Sequence, residues 1–313
     1  MSERIGVITR GINNIYTVVP VEQAQELSTA TPVFCRIKGK VLQDVEDSYN
    51  PLAVGDRVIY THDGMVLSRL ERRNSFARWN AKRQVNQTLV ANMDRILCIT
   101  STNDPPFRPR FIDRAIACSH KIPVMIVLNK CDLALTGEEE QRFRLYGELG
   151  YEIFAMSAFD QAGIIALRAR LAGLTVALIG QSGVGKSTIT NALLGEDEMQ
   201  RTGEISSKFH RGRHTTNHAI MLDARTFRVV DTPGMRELLV PHEDPHVLAD
   251  SFPEFRNLAQ KCSFQPCLHD HEPGCAVKDA LEKGMIHPDR YESYLRMIAS
   301  IEDRPESWES DRR

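Results

Sequence analysis

Apolar positions in the first seventy residues fall in short alternating runs: Arg4 to Thr9, Ile15 to Val19, Pro32 to Ile37, Arg57 to Tyr60 and Met65 to Leu70. Turn-forming stretches separate them, among them Gly11 to Asn14, Gly55-Asp56 and Asp63-Gly64. Alternation of this kind predicts half-buried strands. Several short strands with little helical spacing predict a small closed barrel of the OB type over residues 1–75. From residue 76 the pattern changes to apolar strand-length runs alternating with helical spacing. Arg95 to Thr100, Val124 to Leu128, Tyr151 to Met156, Leu174 to Ile179, His218 to Leu222 and Phe227 to Val230 read as strands. Pro109 to His120, Glu138 to Leu149, Ala162 to Ala172 and Ile189 to Leu194 read as helices. Repeated βα units predict a mostly parallel sheet over residues 76–247, with ligand loops at the carboxyl ends of its strands. Residues 248–313 predict a small segment with helices at Ala276 to Lys283 and Arg290 to Ile301. The fold class is multidomain α/β.

The chemistry concentrates at the loop after Ile179. Gly180-Gln181-Ser182-Gly183-Val184-Gly185-Lys186-Ser187-Thr188 meets every spacing of G-x-x-x-x-G-K-[ST], between a strand and a helix. Glycines let successive N–H groups form a nest for phosphate oxygens, and the helix N-terminus adds its positive end. Lys186 is expected on the β- and γ-phosphates and the Ser187 hydroxyl on Mg²⁺. Asn129-Lys130-Cys131-Asp132, at the end of another strand, has the N-K-x-D form. The carboxylate of Asp132 can accept from guanine N1–H and the 2-amino group, a pair adenine lacks. The Lys130 stem is expected over the base, Asn129 is expected to tie this loop to the phosphate loop, and Ser157-Ala158 to contact the guanine oxygen.

Asp231-Thr232-Pro233-Gly234 has the D-x-x-G form, with Asp231 for Mg²⁺ and the Gly234 N–H for the γ-phosphate. Between the two phosphate motifs, Arg211 to Thr216 occupies the place of a first switch, where Thr216 is favoured over Thr215 to complete the Mg²⁺ shell. An ordinary GTPase has N-K-x-D and Ser-Ala last. Here they come first, so the domain is circularly permuted and its C-terminal exit follows the second switch.

Cys262, Cys267, His269 and Cys275 offer a Cys₃His set for one structural Zn²⁺, with His271 a rival to His269. Three cysteines of seven are used there. The odd total argues against a disulfide framework, and Cys35, Cys98, Cys118 and Cys131 read as buried thiols. The net charge of −2 does not mark the whole chain as nucleic-acid-binding. The barrel leaves RNA binding and a plain structural or protein-binding role about equally open. Its basic exit, with Arg69, Arg72, Arg73, Arg78, Lys82 and Arg83 around Phe76 and Trp79, reads either as a phosphate grip with stacking rings or as a solvated linker. No apolar run approaches a membrane span, so a cytoplasmic protein off the membrane is expected.

Taken together, these motifs resemble the ribosome-small-subunit-dependent GTPase A family over nearly the whole length, with Gly212 to Thr216 and Arg290-Tyr291-Glu292-Ser293-Tyr294 adding to the likeness. Asn217 departs from the expected third threonine. The resemblance implies GTP and GDP as ligands, Mg²⁺, and the small ribosomal subunit with its rRNA as partner, alongside other assembly factors. It also implies a monomer that is stimulated by the subunit at a late checkpoint and leaves after hydrolysis. Met235 stands where many GTPases place the water-orienting glutamine, and His214 is the candidate to replace it. Two competing readings are a P-loop small-molecule kinase, which the N-K-x-D motif opposes, and a nucleotide-gated binding module with incidental hydrolysis.

Overall fold

The computed structural model describes residues 3–24, 27, 30–37, 51–195 and 218–304. Strands β1 (Glu3–Ile12), β2 (Ile15–Pro20), β3 (Val33–Ile37), β4 (Arg57–Thr61) and β5 (Met65–Arg69) run in the order β1-β2-β3-β5-β4. Pairing of β1 with β4, Ile5 opposite Ile59, closes the barrel. Ile8, Tyr16, Val18, Cys35, Val58, Tyr60 and Val66 fill it, because alternate positions face inward along each strand.

A hairpin of β6 (Ser75–Asn80) and β7 (Val85–Ala91) follows, which the hydrophobic pattern does not announce. It changes the reading of the basic exit. Phe76 is fully buried, and Trp79 lies under the guanidinium of Arg304 at 4.6 Å. Arg72 pairs with buried Asp56, Arg73 with Asp94, and Arg78 bonds Gln87. Arg69 donates to Pro51 O at 3.0 Å, so both aromatics and at least four of the six cations have partners within the fold.

The α/β part comprises β8 (Arg95–Ser101), α1 (Pro109–Ala117), β9 (Ser119–His120), β10 (Val124–Asn129), α2 (Gly137–Glu148), β11 (Glu152–Ala155), α3 (Gln161–Leu171), β12 (Thr175–Gly180), α4 (Lys186–Leu194), β13 (Ile220–Asp223) and β14 (Arg228–Asp231). The predicted helix 109–120 stops at Ala117 because Ser119 and His120 pair with β6. The sheet order is β11-β10-β8-β12-β14-β13, parallel except at β13. The chain leaves β8 toward β10 and β11, then returns to β12 on β8's other side. That reversal opens a crevice at the carboxyl ends of the central strands. The edge strand β13 also touches the barrel, Arg10 of β1 pairing with Ile220, which joins barrel and α/β sheet into one.

Helices α5 (Arg256–Ala259), α6 (Ala276–Glu282) and α7 (Pro288–Glu302) complete the chain. The C-terminal segment does not stand on a core of its own. Phe252, Phe255, Tyr294, Met297 and Ile298 belong to the same buried cluster as Ile112, Ala115 and Ile126. Arg290, 1% exposed, sits at the centre of that junction. It donates to Glu254 at 2.8 and 3.0 Å and to Asp113 of α1. Its guanidinium packs over the Phe252 ring at 4.4 Å, and the Tyr146 hydroxyl donates to Asp113 at 2.7 Å. Arg110 with Glu292, and Arg142 with Asp289, add ion pairs between α1, α2 and α7.

Removing one member of a buried ion network strands the others. Arg290→Ala is expected to destabilise the fold by about 3–5 kcal/mol, read as a lowered midpoint in urea unfolding followed by circular dichroism.

Candidate functional site

Every residue of β12 is buried, which fixes the strand that delivers Gly180 to the crevice. Val184 anchors the loop from inside, while Ser182 and Gly183 face out. Gly185 precedes α4 with φ +94°, and a methyl built on it would stand 2.3 Å from Asn129 Nδ2. Both backbone and space require glycine there. Lys186 is buried and donates to the carbonyls of Gly180 and Gln181, each at 2.9 Å. Burial pushes its ammonium down to about 8, against the pull of nearby Asp231. Ser187 and Thr188 are exposed on the first turn of α4.

Asn129, 2% exposed, joins three of the predicted motifs. Its Nδ2 donates to Val184 O in the phosphate loop at 2.9 Å, and its Oδ1 accepts from Ala158 N at 2.9 Å. Ser157 is buried, and its hydroxyl accepts from Phe159 N at 3.3 Å. Lys130 adopts φ +65°, and its ammonium donates to Asp104 O. Leu133 N returns to Lys130 O at 2.9 Å, closing the turn that displays the exposed Asp132.

The β8–α1 loop went unread in the sequence yet lies against this site. Thr102, fully buried, donates through Oγ1 to Lys130 O at 3.1 Å, and Ser101 Oγ donates to Pro105 O at 2.8 Å. No motif marks Thr102. The available signal is its position, just past the carboxyl end of a strand adjacent to the phosphate-loop strand.

Asp231 is buried at the end of β14, and Thr232 Oγ1 donates to Leu178 O at 2.5 Å. Gly234 is exposed and stands beside the phosphate loop. A methyl on it would lie 3.1 Å from Ser182 Cα and 3.3 Å from Lys186 Nζ. Met235 is buried, and its N–H donates to Gly180 O at 3.2 Å. A thioether packed into the core cannot orient an attacking water. His214, Thr215 and Thr216 lie outside the described residues.

In the C-terminal segment, the ligand atoms of Cys262, Cys267, His269 and Cys275 all lie within 4.8 Å of one another, and all four residues are buried. Cys262 Sγ and Cys275 Sγ are 3.9 Å apart, and they stand 3.5 and 3.4 Å from His269 Nδ1. Tetrahedral zinc with ordinary bond lengths has edges of about 3.8 Å between sulfurs and about 3.6 Å from sulfur to nitrogen. The set therefore fits zinc. His271, its side chain 81% exposed, is not part of it. Burial lowers the His269 imidazole, which keeps it neutral as a ligand must be. The hydroxyls of Tyr291 and Tyr294 donate to the carbonyls of His269 and Leu268 at 2.6 and 2.8 Å, holding the ligand loop against α7.

Residues 69–241 match the family described as RsgA GTPase. Among curated proteins, the chain is 36% identical over 299 residues to the "Small ribosomal subunit biogenesis GTPase RsgA" of Borreliella burgdorferi, covering 94% of this chain and 95% of that one. It is 38% identical over 315 residues to the protein of the same name from Chlorobaculum parvum, covering 95% and 98%. Among solved structures, YjeQ from Thermotoga maritima superposes with a TM-score of 0.70 at 28% identity, over 97% of this chain and all of that one. YloQ, titled a circularly permuted GTPase, gives 0.66 at 25% identity over 97% and 96%.

Two outcomes follow from this geometry. Phosphate beside Lys186 favours the charged amine, so binding near pH 8 takes up a proton and affinity falls as pH rises through about 8. Calorimetry of GDP binding at pH 7 and 8.5, in buffers of different ionisation enthalpy, measures this, and no proton uptake at the higher pH contradicts it. For the metal, His271→Ala is expected to keep one zinc per chain by elemental analysis, whereas His269→Ala loses it and melts at lower temperature.

Proposed function

The chain belongs to the RsgA GTPase family, and on that premise we propose that it binds the small ribosomal subunit late in assembly, hydrolyses GTP when stimulated there, and then departs. The chain is a GTP-hydrolysing enzyme. The subunit reading is carried by one observation: the relatives bearing that name match 94–95% of this chain, barrel and Cys₃His segment included, rather than the catalytic part alone. The reading places the protein in the cytoplasm; no helix among the described residues is long and apolar enough to cross a membrane.

In this reading the nest from Gly180 to Gly185 holds the phosphates, Lys186 neutralises the β- and γ-oxygens, and Ser187 with Asp231 and Thr216 holds Mg²⁺. Mg²⁺, when bound there, would neutralise negative charge on the phosphate oxygens. Asn129 supports the base site from behind, Lys130 and Asp132 face the guanine, and Ser157-Ala158 complete its edge. Gly234 faces the γ-phosphate. Buried Met235 leaves water unassisted from that side, which supports slow basal turnover and a role for His214 in orienting or deprotonating water once the subunit is bound.

Steady-state GTP hydrolysis with and without purified small subunits, at fixed Mg²⁺ and salt, tests the proposal, since phosphate contacts make affinity salt-dependent. At least about tenfold stimulation is expected, with little from large subunits. His214→Ala is expected to lose the stimulation and keep nucleotide affinity. Equal rates with either subunit would overturn the partner, and a stimulated His214→Ala would overturn the histidine.

A further inference from the structure

Guanine specificity requires Asp132 to be aimed, since its carboxylate must meet two donors on one edge of the base at once. Asp132 is exposed, so core packing does not aim it. Its placement comes from the backbone turn Lys130 to Leu133, closed by Leu133 N on Lys130 O at 2.9 Å. That turn begins with a lysine at φ +65°, a region disfavoured for a side chain of this kind and held only by its surroundings. Two of those surroundings come from the β8–α1 loop. Asp104 O takes the Lys130 ammonium, and Thr102 Oγ1 donates to the same Lys130 carbonyl that closes the turn. Thr102 is in turn fixed to the sheet, fully buried, with its N–H on Asn129 O at 3.4 Å and its carbonyl accepting from Asp104 N at 2.9 Å.

We propose that Thr102 is a positioning residue for guanine recognition: its hydroxyl pins the Lys130 to Leu133 turn to the end of β8 and so aims Asp132 at the base. This rests on the reading of Asn129 to Asp132 as the guanine site. The Thr102 hydroxyl reaches only the Lys130 carbonyl among these groups, whereas its N–H, on Asn129 O, is the side that faces the tie to the phosphate loop and survives loss of the hydroxyl; removing the hydroxyl therefore acts on the base side.

Full-length protein is titrated with GDP, IDP and ADP, IDP differing from GDP only in lacking the 2-amino group. Wild type is expected to favour GDP over IDP, and both over ADP. Thr102→Val removes the hydroxyl at nearly constant volume and is expected to weaken GDP by about five- to twentyfold and IDP, which keeps the N1–H donor but lacks the 2-amino group, by distinctly less, so the GDP/IDP ratio narrows. Thr102→Ser, which keeps the hydroxyl, is expected to restore the ratio. A Thr102→Val protein with the wild-type ratio overturns the proposal, as does one losing GDP and IDP equally, the mark of general loosening. Should Thr102→Val melt early, Thr102→Ala reads the same ratio without the branched methyl. Wild type binding ADP as well as GDP would overturn the guanine reading itself, and this proposal with it.

Discussion

The carboxamide of Asn129 is the constraint on which the catalytic half depends. One buried side chain spends its donor on the phosphate loop and its acceptor on the Ser157-Ala158 loop, while its own backbone ends β10. An amide can serve both at once because it carries a donor and an acceptor on one rigid plane. A carboxylate lacks the donor, and an aliphatic residue would leave both backbone groups without their present partner, at about 1–3 kcal/mol for each buried group. The contact also dictates sequence elsewhere: with Nδ2 2.3 Å from where a Gly185 methyl would stand, only glycine fits in the phosphate loop. Three loops far apart in the chain thus become one surface.

A second constraint, of charge rather than shape, joins the C-terminal segment to α1. Arg290 is stripped of water and satisfied by Glu254 and Asp113, with aromatic faces over its plane. Phe255, edge-on, and Tyr294, tilted, carry the aromatic contacts on to the His269 ring, with centroids 5.9 and 6.3 Å away. The Cys₃His loop and α1 therefore share one packed core. In such a core, displacement of one layer requires its neighbours to repack.

Much of this was legible in the sequence because motif chemistry is local. The phosphate loop, N-K-x-D, D-x-x-G and the Cys₃His spacing are short, and their order alone revealed the permutation. The strands of the barrel and sheet were legible because their faces alternate or are wholly apolar. What stayed hidden depends on contacts distant in sequence. Phe76 and Trp79 among arginines read either as a nucleic-acid grip or as a solvated linker, yet the Trp79 partner, Arg304, lies more than two hundred residues away. Thr102 belongs to no motif, and Arg290 is part of the 290–294 likeness without any chemistry legible there; their importance arises from where the fold carries Lys130 and Asp113. The choice of His269 over His271 likewise needed coordinates, since both spacings suit a metal.

The small bridge between Gln181 and Met235 has a mechanical consequence. Gly234 is one bond from a residue stitched to the phosphate loop and rooted in the core, so it does not swing on a free tether. Any stroke that carries Gly234 away must shear that bridge and pull on Gly180 to Gln181. The two loops share one fixed point: the chain beyond Gly234 is hinged where Met235 meets Gly180 and Gln181.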